Sequence, residues 1–143
     1  MIAGALRLSK LTGQNGSNIP EFLDSWWVHR KGAVFAGMGV QVIIPGSMGT
    51  ASYLAVGQGC TDALSSCSHG AGRSMNRTEA RHAISVRAFE KEMRGVWFDH
   101  RLSPRLREEA PAAYKDIHEV MKAQRELVTI TRRLRPLLSY KGA

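Results

Sequence analysis

The residues with the most chemical content run Cys67-Ser68-His69-Gly70-Ala71-Gly72-Arg73, between an apolar run and a helix start. Glycines have no Cβ, so a phosphate can approach the backbone N–H groups closely. An arginine four residues after the histidine offers a planar fork for phosphate oxygens. An imidazole at the mouth of such a loop can attack phosphorus and carry a phosphoryl or nucleotidyl group. The segment therefore points to nucleotidyl transfer. The competing reading is a turn that displays a surface histidine.

A second glycine-bearing loop, Pro45-Gly46-Ser47-Met48-Gly49-Thr50-Ala51-Ser52, also follows strand-like sequence. Its backbone N–H groups and its hydroxyls at Ser47, Thr50 and Ser52 can donate to a phosphate or a base edge. The alternative is a hairpin with a glycine bulge. Lys141 follows the apolar run Leu137-Leu138-Ser139-Tyr140, which is expected to hold it in place. Tyr114 is a candidate stacking platform for a base, or a core tyrosine.

These features need a scaffold, and 143 residues are enough for one domain with a core. The chain carries 20 Lys and Arg against 12 Asp and Glu, a net charge of +8, which favours a polyanionic partner such as nucleic acid. Two cysteines make no disulfide scaffold, and Cys60, Cys67, His69 and His82 match no common zinc spacing. No stretch is apolar for long enough to suggest a membrane helix, so a cytoplasmic protein with no membrane partner is expected.

Residues 1–25 are rich in turn formers and read as an irregular segment that is not native to the domain expected over 26–143. Strand signals follow at 26–30, 40–44 and 52–56, with another at 96–98 and a basic one over 127–140. Helices are expected over 79–83, from Ser85 to Gly95, and from Asp116, the last burying Ile117, Val120 and Met121. Residues 101–109 read as a charged loop. The expected class is α+β, a mixed or antiparallel sheet with short flanking helices, the two glycine loops meeting at one edge.

Five segments together, VHRKGA (28–33), IIPGSMGTASY (43–53), SCSHGAGRSMNRT (66–78), EEAPAAYKDIHEVM (108–121) and LRPLLSYKG (134–142), resemble the C-terminal part of RtcB-type RNA-splicing ligases, in the family's order. The resemblance implies an enzyme dependent on GTP and Mn²⁺ that joins RNA 3′-phosphate or 2′,3′-cyclic phosphate ends to 5′-hydroxyl ends. It implies that His69 becomes guanylylated. It places the nucleotide against Pro45, Gly46, Ser47, Met48 and Ser52, and against Gly70, Ala71, Gly72 and Arg73. Tyr114 matches the aromatic partner of the guanine, and Lys141 the lysine that recognises it.

The family's manganese ligands, an Asp and a Cys in one motif and then several histidines, lie upstream of these segments. This sequence has no His or Cys before His29. It therefore offers no metal site, and is expected to be inactive without a missing N-terminal half or a companion subunit. Two alternatives remain: a non-catalytic RNA- or nucleotide-binding module, and one subunit of a split ligase.

Overall fold

The computed structural model describes residues 21–23 and 26–141. The fold is α+β, and all its strand pairs are antiparallel. β1 (Glu21–Leu23) pairs with β2 (Trp26–Val28). β3 (Ala33–Phe35) pairs with β6 (Ser66–Ser68). The main sheet has the order β4 (Gln41–Ile44), β5 (Ser52–Gly57), β7 (Val128–Leu134). β1 lies inside the segment expected to be irregular; the rest of that expectation, residues 1–20, 24 and 25, lies outside the described residues.

Alternation explains the main sheet. Val42 and Ile44 on β4, and Tyr53 and Ala55 on β5, turn one face inward while their neighbours are more exposed. That face packs on Ile117 and Met121 of α4 (Ile117–Ala123), together with Val34 and Cys67. β7 differs, because only Val128 is buried. It is an edge strand with exposed basic residues, and a bulge at Leu54/Ala55 interrupts its register with β5.

A second core gathers Phe89, Phe98, Met93 and Met48 beneath α1 (Arg77–Ala83) and α2 (Val86–Glu92). The helix starts follow from local chemistry. Asn76 and Glu79 form a reciprocal capping box, and Ser85 accepts from the N–H of Ala88. Asp116 caps α4 by accepting from the N–H of His118, while Glu119 pairs with Lys122 instead of closing a box.

Three local expectations are corrected. Residues 96–98 form no strand; Trp97 makes a lone parallel bridge to Leu138, although Val96 and Phe98 do point inward. Residues 101–109 are not an open loop. They fold into short helical turns around α3 (Ser103–Leu106), where Pro104 is tolerated because a first-turn residue needs no N–H partner. Burial does not hold the run before Lys141, since Leu137, Leu138 and Tyr140 are exposed. Backbone pairing holds it: Trp97 donates to Leu137 at 2.9 Å and Ser139 donates to Trp97 at 2.9 Å.

Candidate functional site

His69 follows directly on β6, and its side chain is exposed. Its N–H donates to Gly32 at 3.3 Å, continuing the β3–β6 pairing. The turn leading into β6 is unusual, because Leu64 and Ser65 both have positive φ, at 50° and 49°. Buried Arg30 holds it, donating from Nε to Ser66 Oγ at 2.7 Å and from Nη2 to Leu64 O at 2.9 Å.

The two glycine loops meet. The N–H of Ala71 donates to Pro45 O at 3.0 Å. A Cβ on Gly70 would stand 2.9 Å from that same oxygen, so only glycine fits there without displacing the chain. Gly72, with φ of 71°, faces open space.

Not every predicted residue is free to bind. The N–H of Ser47 donates to Thr50 Oγ1 at 2.6 Å, and the two hydroxyls lie 2.9 Å apart. The Met48 side chain is buried in the second core and leaves the loop only its backbone. Ser52 is half-buried at the start of β5, opposite Leu134.

Arg73 turns inward rather than toward the glycine loop's mouth. It donates to Met75 O at 3.0 Å, to Tyr114 Oη at 3.0 Å and to Glu108 O at 2.5 Å. Its guanidinium also lies 4.7 Å from the centre of the Tyr114 ring. Tyr114 in turn donates to Glu109 Oε2 at 2.5 Å, and Lys141 Nζ lies 3.9 Å from that oxygen. Glu109 thus joins Tyr114 to the terminal lysine.

The sequence reading did not single out Glu108, Glu109, Arg77 or Arg81. Arg77 bridges both carboxylates, and Arg81 pairs with Glu108. The available signal was the four-residue spacing of the two arginines, which puts them on one helix face. A cavity of about 630 Å³ opens over this cluster and includes Lys141 and Arg105. Tyr114 lines a separate groove of about 760 Å³ with Thr50 and Lys115.

Arg81 and Arg77 hold Glu108 below the usual carboxylate range, against burial. For Glu109 burial pushes upward, but Tyr114, Lys141 and Arg77 together outweigh it and leave the group lowered. Tyr114 is raised by burial and by its bond to Glu109. The cluster is therefore ionic at neutral pH. Among the described residues no three His, Cys, Asp or Glu side chains gather to hold a metal ion.

The α+β scaffold docks the histidine loop onto the second glycine loop, and Glu109 ties Tyr114 and Lys141 together. The family model "tRNA-splicing ligase RtcB" matches residues 14–142, and the chain belongs to that family. The match begins inside the turn-rich first segment. The RNA-splicing ligase RtcB of Escherichia coli K12 is 43% identical over 122 residues, covering 85% of this chain and 29% of that protein. The tRNA-splicing ligase RtcB of Nanoarchaeum equitans is 40% identical over 129 residues, covering 86% and 26%. The RNA-splicing ligase RtcB of Mycobacterium tuberculosis is 37% identical over 137 residues, covering 84% and 32%. The chain thus spans less than a third of the length of these relatives. Among the described residues no helix is long and apolar enough to cross a membrane.

Proposed function

We propose that this chain supplies the nucleophile and nucleotide pocket of a GTP-dependent ligase that joins RNA 3′-phosphate or 2′,3′-cyclic phosphate ends to 5′-hydroxyl ends. The observation that carries the reading is the exposed imidazole of His69 beside a loop pinned to Pro45 by the Ala71 N–H. A neutral ring nitrogen attacks the α-phosphorus of GTP, forming an N–P bond as pyrophosphate leaves. Where the end is a 2′,3′-cyclic phosphate, water first adds to phosphorus and the P–O2′ bond breaks; the 3′-phosphate then attacks the guanylyl phosphorus, and the His69 N–P bond breaks. The 5′-hydroxyl attacks that phosphate, forming the phosphodiester and releasing GMP.

Lys141 and Glu109 lie side by side as donor and acceptor. That pairing suits a guanine edge, which presents acceptors at O6 and N7 and a donor at N2. Arg73 acts here as a positioning residue for Tyr114. Bound Mn²⁺ would supply charge compensation on the triphosphate, and its ligands would come from outside these residues, either from a companion subunit or from further sequence.

The test is labelling. The chain is incubated with radiolabelled GTP and Mn²⁺, alone and with the upstream part of a family relative. Acid-labile label is expected on this chain only in the mixture, and it should vanish in His69→Ala. No label in any combination overturns the nucleophile reading. Label on the isolated chain overturns the assignment of the metal ligands elsewhere. The second reading, a basic RNA-binding module without catalysis, draws on the lack of a metal cluster among the described residues. It requires RNA binding with no labelling in either arm.

A further inference from the structure

Two sets of cations near the candidate site differ in their partners. Arg73, Arg77 and Arg81 are engaged by Glu108, Glu109 and Tyr114. Lys115, Arg133 and Arg135 are different: among the described residues none of them pairs with a carboxylate, yet all three line one groove of about 760 Å³. Its walls are residues 49–51, the stretch 111–118, and the end of β7. The only acid in the lining, Asp116, already accepts from the N–H of His118.

His118 adds a constraint. Arg133 Nη2 lies 3.3 Å from His118 Nε2, and a guanidinium can only donate. Nε2 therefore accepts, and Nδ1–H donates to Tyr53 Oη at 2.8 Å. The imidazole nitrogen, as acceptor, holds Arg133 at the groove without cancelling its charge. Three cations face one groove against the single carboxylate of Asp116, so the groove carries net positive charge and favours an anion.

The groove is continuous with the proposed nucleotide site. Thr50, in its wall, is bonded to Ser47 of the first glycine loop, and Tyr114, also in its wall, lies under Arg73. Cations interleaved with an aromatic ring form the usual platform for single-stranded nucleic acid, where the backbone pairs with charge and bases stack.

The geometry points to this groove as the seat of the RNA strand's phosphate backbone, held by Lys115, Arg133 and Arg135 and leading the strand end toward His69. The assignment rests on the ligase reading for where the strand leads, while the contact itself is tested without GTP. A fluorescent single-stranded RNA ending in a 3′-phosphate is titrated by anisotropy at several salt concentrations. It is tested against the wild-type chain, against Arg133→Gln/Arg135→Gln, and against a charge-matched control, Arg87→Gln/Arg94→Gln, on the exposed side of and just after α2. The groove variant is expected to bind about tenfold more weakly, with a salt slope smaller by about 1.4, since each lost phosphate contact removes about 0.7 for single strands. The control should bind nearly as the wild type.

Equal loss in both variants, or loss in neither, overturns the groove. Should the groove variant misfold, amine modification of wild-type Lys115 with and without RNA decides the matter. Protection is expected, and unchanged modification overturns the assignment. Failure of GTP labelling with intact groove binding would sink the ligase reading alone.

Discussion

Tyr114 Oη sits between two charges, donating to Glu109 Oε2 at 2.5 Å and accepting from Arg73 Nη1 at 3.0 Å. One hydroxyl thereby ties the loop after His69 to the segment carrying Glu108 and Glu109, and through Glu109 to Lys141. Tyr114 also packs against both hydrophobic cores. Removing the oxygen alone should therefore be felt across the fold. Tyr114→Phe is expected to cost about 1.5–3 kcal/mol, the range for hydrogen bonds to charged groups, in urea unfolding. A cost near zero would show that the ring, not the hydroxyl, does the tying.

The paired carboxylates predict acid sensitivity. Both Glu108 and Glu109 titrate below their ordinary value of 4.5 in the folded chain. Below that value the unfolded chain takes up protons first, so protonation favours unfolding. The stability they contribute is complete above about pH 4.5 and is lost as pH falls through the lowered folded values. Melting temperature against pH should show this fall. Glu108→Gln/Glu109→Gln should melt lower at neutral pH and lose much of the acid dependence; an unchanged acid slope would assign it to other groups.

Gly70 is expected to tolerate no side chain. An added Cβ would meet the Pro45 carbonyl at 2.9 Å, and the obstacle is backbone. Gly70→Ala should cost about 1–3 kcal/mol, as overpacking does, and should loosen the Ala71–Pro45 bond. Hydrogen exchange at the Ala71 amide reads that directly. Unchanged protection there would mean that the loops part without consequence.

The two cysteines should differ in reactivity. Burial pushes the Cys67 thiol up to about 12, while Cys60 is half-exposed. A thiol that stays protonated is a poor nucleophile. Iodoacetamide should modify Cys60 in the native chain and reach Cys67 only after denaturation, as mass spectrometry will show. Rapid native modification of Cys67 would place it outside the core.

Local rules made much of the scaffold legible. Ser85 marked a helix start that the structure keeps, and the helix expected over 79–83 begins two residues earlier, at Arg77 behind its Asn76 cap. The strand signals at 40–44 and 52–56 became the paired strands β4 and β5. What escaped depends on distant partners. β3 and β6 are three residues each and exist because they pair with one another. Glu108 and Glu109 looked like loop charges because Arg77 and Arg81, which neutralise them, lie about 30 residues away. The inward turn of Arg73 was hidden for the same reason, since Tyr114 is 41 residues on. The meeting of the glycine loops followed from the expectation that one ligand needs both.

β7 pairs with β5 across a long stretch of chain; the bond from Thr131 Oγ1 to Leu54 O spans 77 residues. Protein synthesis runs from the N-terminus, so the β4–β5 hairpin can form early from local contacts alone. Its open edge must then wait through the making of every helix before β7 arrives to cover it. Arg133 and Arg135 come with that last strand, which also brings Val128 into the first core, so the basic groove comes into being only as that core is completed. A nascent chain stalled before residue 128 would present an uncovered strand edge and no finished groove, a state suited to capture by chaperones and unsuited to holding nucleic acid.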